Sequence, residues 1–219
     1  MSGHETAAGL PPYLMRPPRR EDEPVLGRLL IARRSWLAAR GLTADAPDPA
    51  AVAEGTVVLG LPMTWTLWEG QDLVGYTQLF PLSLGGGWTY RERSQPSLSI
   101  LATWTHPLHR ADRPSRLMAW WVLDFAARHQ FAHVRRAPTR ERLARCFRDE
   151  HGWEHRRTRA WPDGITRHLM TRESQVMPGL AALIATFAQP GSTDIASSPD
   201  GGSLCRVPPH HANRNGTGP

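Results

Sequence analysis

Apolar residues from Val25 to Leu37 recur close to a 3.6-residue period, at Val25, Leu26, Leu29, Leu30, Trp36 and Leu37, which predicts an amphipathic helix. Glu21-Asp22-Glu23-Pro24 places acids and a proline at its start, where the helix dipole favours negative charge, and Gly41 ends it. Before it, Leu14-Met15-Arg16 makes a short strand stopped by Pro17-Pro18. Pro and Gly breaks across 43–55 surround Ala50-Ala51-Val52-Ala53 and predict a loop with a short helix. Thr64 to Trp68 and Leu73 to Phe80 then read as two strands about the turn Glu69-Gly70-Gln71-Asp72.

The glycines Gly85 to Gly87 precede a strand from Ser97 to Thr105, and no helical pattern follows them. They read as a connection, because a phosphate loop needs a helix directly behind it. From Ser115 to Gln130 there is no breaker, and Leu117, Met118, Trp120, Trp121, Leu123 and Phe125 cover most of the surface, as in a helix buried against a sheet. His133 to Ala137 is a short strand, Pro138 to Glu150 a helix ended by Gly152. Trp153 to Arg159 and Ile165 to Thr171 form a hairpin around Pro162-Asp163-Gly164. This order predicts a mixed α/β fold with too many adjacent strands for a doubly wound sheet. It divides the chain into a loose segment 1–12, one domain over 13–173, and a mostly disordered tail over 174–219 with a small helix at 177–189.

Composition narrows the function classes. At 219 residues with 40% hydrophobic content and nine Trp, the chain supports one cored domain. No apolar run approaches the roughly 18 to 20 residues that span a bilayer, and the first ten residues lack the pattern of a signal peptide, so the expected location is cytoplasmic. Two cysteines, Cys146 and Cys205, exclude a disulfide framework and a four-cysteine zinc site. No metal ligand set is read from the sequence. The net charge of +6 comes from 26 basic residues that are all Arg. It favours polyanions, nucleic acid being the minor reading. Trp65, Trp68, Trp104, Trp120 and Trp121 fit a core and cleft wall better than a base-stacking platform.

Four local strings, in this element order, resemble the GNAT superfamily of acyl-CoA N-acyltransferases across about Leu14 to Arg172. Leu14-Met15-Arg16-Pro17 with the acidic helix start is similar to its opening strand and helix. Trp68-Glu69-Gly70-Gln71-Asp72-Leu73-Val74-Gly75 is similar to its central hairpin, and Thr105-His106-Pro107-Leu108-His109-Arg110 to the string that closes its fourth strand. Leu143 to Arg148 with Gly152-Trp153 is similar to its last helix and following turn. The resemblance implies a three-layer αβα architecture with a central, mostly antiparallel sheet. It also implies acetyl-CoA as cosubstrate, held at the turn before the long helix and between two parted strands.

On that reading the cofactor contacts fall on Thr103, Trp104 and Thr105 of the fourth strand, and on Arg110, Ala111, Asp112, Arg113, Ser115 and Arg116 of the turn. The family's turn is rich in glycine, whose lack of a Cβ lets backbone N–H groups approach a pyrophosphate. Here Arg113 and Ser115 stand at the small positions and Pro114 has no N–H to donate, while Arg110, Arg113 and Arg116 supply forked cationic donors. The fourth strand has no carboxylate, which leaves Glu92 and Ser99 as catalytic candidates, the first as a base and the second to order a water. The family's acidic tyrosine falls at Phe147 or Arg148, neither of which donates a proton at neutral pH. The implied activity is acetyl transfer to an amine of a small molecule or protein. The alternative is a non-catalytic ligand-binding or interaction module on the same fold, and a homodimer stays open in either case.

Overall fold

In the computed structural model, which describes residues 10–42, 47–55, 57–58, 61–83, 87–109 and 113–187, the predicted strands join one eight-stranded sheet. In chain order the elements are β1 (Tyr13–Arg16), α1 (Glu23–Ala38), α2 (Pro49–Glu54), a two-residue ladder of β2 (Val57–Val58) and β3 (Leu61–Pro62), β4 (Thr64–Glu69) and β5 (Asp72–Phe80). There follow α3 (Tyr90–Arg93), β6 (Ser97–Thr105), α4 (Pro114–Arg128), β7 (His133–Arg136), α5 (Glu141–His151), β8 (Glu154–Ala160), β9 (Thr166–Glu173), α6 (Leu180–Leu183) and β10 (Ile184–Thr186). The sheet order is β10-β1-β4-β5-β6-β7-β9-β8. Only β1–β10 and β6–β7 pair in parallel, so the sheet is mostly antiparallel as expected.

Two apolar layers flank it. On one face Leu26, Leu29 and Leu30 of α1 and Val52 of α2 meet Leu73 and Tyr76 of β5. On the other, Met118, Trp121, Val122 and Phe125 of α4 and Phe147 of α5 meet Trp65, Val74, Ile100 and Val134. The result is a three-layer αβα arrangement. The layers approach closely at Gly75, where a Cβ would lie 2.9 Å from Met118 Cε and 3.0 Å from the Trp104 carbonyl oxygen. At the first strand–helix junction Arg16 donates from both terminal nitrogens to the buried Asp22 carboxylate, at 2.7 and 2.8 Å. That forked pair fixes where α1 leaves the sheet.

Two differences from the sequence reading have local causes. The turn α3 exists because Thr89 and Glu92 cap each other, the Thr89 hydroxyl accepting from the Glu92 N–H while the Glu92 carboxylate accepts from the Thr89 N–H. Beyond Arg172 the pattern is too short to carry a period. Even so, Met177, Leu180 and Ile184 pack on the α4 core. The helix predicted at 177–189 resolves into the single turn α6 followed by β10, which docks on β1. Unpaired backbone groups along β1 supply the driving force, and the Trp121 indole N–H donates to Thr186 Oγ at 2.8 Å. The tail from 188 onward lies outside the described residues, as do 1–9.

Burial pushes the pKa values of His106, His129, His133 and His151 below the ordinary histidine value. The unfolded chain then binds more protons than the folded one at mildly acid pH. The associated stability is present above the unfolded pKa of about 6.5 and is lost as pH falls through the lower folded values. The melting temperature is therefore expected to drop between pH 7.5 and pH 5, before most carboxylates titrate. A melting curve that stays flat or rises across that window contradicts this.

Candidate active site between two parted strands

The parallel pairing of β6 and β7 covers only Ser97 to Ile100 against His133 to Arg136. β6 runs on to Thr105, whereas β7 ends at Arg136. The separation starts at an irregularity: the β5–β6 register passes from Leu79↔Ile100 to Gln78↔Ala102, which leaves Leu101 as an extra residue on β6. Such a bulge bends its strand and ends regular pairing.

Beyond the bulge, the alternation of a strand decides which backbone groups are free. The His106 N–H donates to the Val74 carbonyl at 2.9 Å, and the Ala102 carbonyl accepts from Thr77 Oγ at 3.0 Å, so Ala102, Trp104 and His106 turn their backbone toward β5. Thr103 and Thr105 turn theirs the other way, into the opening. Their side chains line a groove of about 600 Å³ that leads to the N-terminus of α4, past Arg113, Ser115 and Arg116. The Trp104 side chain projects from the opposite face and packs on the α1–α2 core, so Trp104 adds no side-chain contact to the groove.

At the mouth of α4 the predicted turn is half visible. Arg110, Ala111 and Asp112 lie outside the described residues. Arg113 is the residue before the helix and has φ 48° and ψ 54°, a left-handed conformation that favours glycine. Pro114 is buried and gives no N–H, and the N–H groups of Arg116 and Leu117 both donate to the Arg113 carbonyl. Among the described residues of this mouth, Pro114 has no N–H and those of Arg116 and Leu117 are engaged within the helix. The compensating charge is on side chains: Arg113 is exposed, and the Arg116 guanidinium lies 4.5 Å over the Trp120 ring.

Arg136 marks the point where the strands part. Its guanidinium sits 4.6 Å over the Phe147 ring and donates to Thr103 Oγ at 3.3 Å. Burial pushes its pKa down to about 10. It lines the groove, a small inner chamber of about 90 Å³ under α4, and a separate cavity of about 310 Å³ beyond the strands. That third space is bounded by Trp88, Ser99, Leu101, Arg135, Trp161 and Arg167. The parallel register explains the division, because Ser99 stands beside Arg135 on one face and Ile100 beside Arg136 on the other.

The two catalytic candidates are separated. Ser99 is buried on the cavity wall and donates to the Leu82 carbonyl at 2.6 Å. Glu92 lies off the wall, with both carboxylate oxygens engaged: one accepts from Thr89, the other from Arg157 at 2.7 Å. Its pKa is lowered, the Thr89 hydrogen bonds and Arg157 outweighing the burial that opposes them. Phe147 lines the groove as an aromatic floor, while Arg148 is exposed and paired with Asp149. On the groove wall Cys146, Glu150 and His151 bring three donor atoms within 4.8 Å of one another. Burial, then the Glu150 carboxylate, pushes the Cys146 thiol up, so it stays protonated at neutral pH.

Sequence reasoning passed over Arg136 and the walls Trp88, Trp161 and Arg167. One signal was available: Arg135-Arg136 is a charged doublet on a strand flanked by two others, and long charged side chains are rarely buried without a reason. Of the other walls, Trp161 and Arg167 flank the 162–164 turn of one hairpin, and only tertiary structure brings Trp88 against them.

No protein-family model matches the chain, and no curated protein sequence matches it. Solved structures do. A GNAT-family acetyltransferase from Listeria monocytogenes superposes with TM-score 0.54 at 12% identity over 74% of this chain and 94% of its own. A putative acetyltransferase from Salmonella typhimurium, solved with its cofactor acetyl-CoA, gives TM-score 0.51 at 13% identity over 76% and 96%. PaiA N-acetyltransferase from Thermoplasma acidophilum, solved with coenzyme A, gives 0.51 at 10% over 74% and 98%. At such identities the likeness is one of fold. The chain has the GNAT fold in a divergent sequence. Among the described residues, no helix is long and apolar enough to cross a membrane.

Proposed function

From the GNAT fold as premise, we propose that this protein is an N-acyltransferase carrying an acetyl group from acetyl-CoA to an amine of a small molecule or a protein. The observation that carries this reading is the meeting of a groove and a separate cavity at Arg136, where β6 and β7 part. An extended pantetheine arm, with amides along it, matches the outward backbone groups of Thr103 and Thr105 as an added strand would. The pyrophosphate then reaches Arg113, Ser115 and Arg116. Its thioester arrives at the strand junction, and the amine comes from the cavity side.

In the transfer, the amine lone pair attacks the thioester carbonyl carbon and the C–N bond forms. The C–S bond then breaks and its electron pair leaves on the thiolate. Charge develops first on the carbonyl oxygen and then on sulfur, close to the Arg136 guanidinium, a fixed positive charge in a desolvated position. The thiolate takes its proton from water in the open groove. On the amine side, Ser99 supplies hydroxyl lone pairs that order the amine or a water accepting its proton. Among the described residues no carboxylate lines the cavity, and the rate comes mainly from positioning and electrostatics. The second reading, a binding module on the same fold, is favoured by the spent backbone donors at the α4 mouth and by the engaged Glu92.

Calorimetric titration with acetyl-CoA, followed by an assay of thiol release with a panel of amines, separates the two readings. Absence of binding at millimolar acetyl-CoA removes the transferase. Arg113→Gly gives a finer result. Glycine relaxes the left-handed backbone at φ 48° and deletes the cation. Folding stability is expected to stay within about 1 kcal/mol. Coenzyme A affinity is expected to fall about ten-fold, as for loss of one charge-assisted hydrogen bond, and binding of pantetheine, which lacks the pyrophosphate, to stay unchanged. Equal loss for both ligands would show that Arg113 acts on the groove's shape and not on phosphate.

A further inference from the structure

Three donor atoms of different chemistry meet at the C-terminal turn of α5. The Cys146 thiol sulfur, a Glu150 carboxylate oxygen and a His151 ring nitrogen lie within 4.8 Å of one another. All three residues line the groove, and Cys146 and His151 also line the inner chamber under α4, so the cluster stands where the two spaces meet. None of the three belongs to the apolar core, and none has a part in the proposed transfer.

The backbone that carries them is held on both sides. Gly152 closes α5 with φ 63°, its N–H and that of the buried Trp153 both donate to the Phe147 carbonyl, and Arg172 donates to the His151 carbonyl. The freedom left at this turn is mostly that of side-chain torsions, and the exposed Glu150 has the most of it. A spacing of four residues sets Cys146 and Glu150 on one face of the helix. The carbonyl end of a helix is the negative end of its dipole and favours a cation. Bonds of about 2.0–2.3 Å in a tetrahedral zinc site set the ligand atoms about 3.3–3.7 Å apart, so small rotations bring these three donors to a common ion. A sulfur, nitrogen and oxygen set suits zinc and its neighbours, whereas calcium and magnesium take oxygens. As the metal–sulfur bond forms, the thiol proton leaves to solvent. A divalent cation with a thiolate, a carboxylate and a neutral imidazole carries no net charge, so the complex sets no cation against Arg113 and Arg116 along the groove.

We propose that the end of α5 is a metal site of the zinc class, with Cys146 Sγ, one Glu150 oxygen and one His151 ring nitrogen as ligands, and that the bound ion shuts the groove to the coenzyme arm. Three protein ligands leave the fourth tetrahedral position to water. The ion and its water then occupy the part of the groove beside Phe147 and Thr103 along which the pantetheine would run. The metal site stands without the transferase reading; the competition with the coenzyme rests on it.

The probe is cobalt(II), whose bond to a thiolate gives a charge-transfer band in the near ultraviolet, with zinc in competition against it. The full chain carries Cys205→Ala, His210→Ala and His211→Ala, so that Cys146 is the remaining thiol and the tail pair contributes no imidazole. The band is expected to appear, to saturate at one cobalt per chain, and to vanish on adding zinc. Glu150→Gln and His151→Ala, each in a sample that melts like the parent, are expected to weaken cobalt binding about ten-fold or more, since even the partners of metal ligands are worth that much. Absence of the band overturns the site, as does a band whose affinity both variants leave unchanged, which marks a thiol binding alone. Acetyl-CoA, which has no free thiol to take up the metal, is then titrated calorimetrically with and without zinc. Zinc held at about ten times its dissociation constant is expected to weaken acetyl-CoA binding about ten-fold, as for mutually exclusive occupation, and to have no effect in Cys146→Ser. Equal acetyl-CoA affinity with and without zinc overturns the closure of the groove. Failure to bind acetyl-CoA at all removes the transferase instead, and the cobalt spectrum still decides on the metal site.

Discussion

Arg136→Gln is expected to lower kcat by about 100- to 1000-fold, the range seen when one group stabilising developing charge is removed, equivalent to about 2.7–4 kcal/mol. The same change should leave the melting temperature unchanged or raise it. Both expectations come from one feature: the guanidinium is desolvated, rests on Phe147, donates to Thr103 Oγ and, among the described residues, has no carboxylate beside it. A charge held this way does not help the folded state, so replacing it with a neutral amide that keeps a donor removes a cost of burial. Function then explains its presence, in the manner of a site that gives up stability for activity. Acetyl-CoA affinity should change only a few-fold, because the charge that Arg136 meets develops in the transition state. Steady-state kinetics with a thermal melt on the same sample check this. A variant that keeps kcat and melts earlier would make Arg136 a structural residue.

Trp121→Ala is expected to destabilise the fold by about 3–5 kcal/mol, a large share of the roughly 5–15 kcal/mol that holds a domain together. Trp121 is 2% exposed. Its ring centroid lies 4.7 Å from that of Trp65 and 4.8 Å from that of Phe125, in a cluster that joins β4 to α4. Deleting the indole leaves a cavity bounded by other rings that cannot collapse into it. Its N–H does a second task by holding Thr186. Trp121→Phe separates the two: most of the packing stays, one hydrogen bond goes, and the loss should be about 1 kcal/mol. Hydrogen exchange should then speed up selectively at Ile184 to Thr186, with β4 and β5 protected as before. Denaturant unfolding of the three proteins gives the energies. A loss below 1 kcal/mol for the alanine variant would show that α4 is not packed on the sheet in this way.

The architecture was legible because its signals are local and repeated. Helix α1 has an acidic, proline-marked start and a heptad's worth of leucines; the β4–β5 hairpin has Gly70 at a turn with φ 57°. The cavity beyond the parted strands was not legible. Trp161 and Arg167 flank one predicted turn, but nothing in the sequence links that hairpin to Trp88. The groove falls between these cases. Thr103 and Thr105 follow from the alternation of β6, and Trp104 follows from it too, on the opposite face. What the strand pattern could not contain is the bulge at Leu101, since one extra residue shows only against its partner strand. The parting of β6 and β7 depends on that residue.

The two ends of the sheet bear on how copies of the chain can associate. At one end stands β10, three residues long; at the other stands β8, exposed along most of its length and carrying Arg156, Arg157 and Arg159. A short border gives little to pair with, and a charged one, here with Arg156 paired to Glu154 and Arg157 to Glu92, is a poor template for a further strand. Among the described residues, growth of the sheet from molecule to molecule is opposed at both borders.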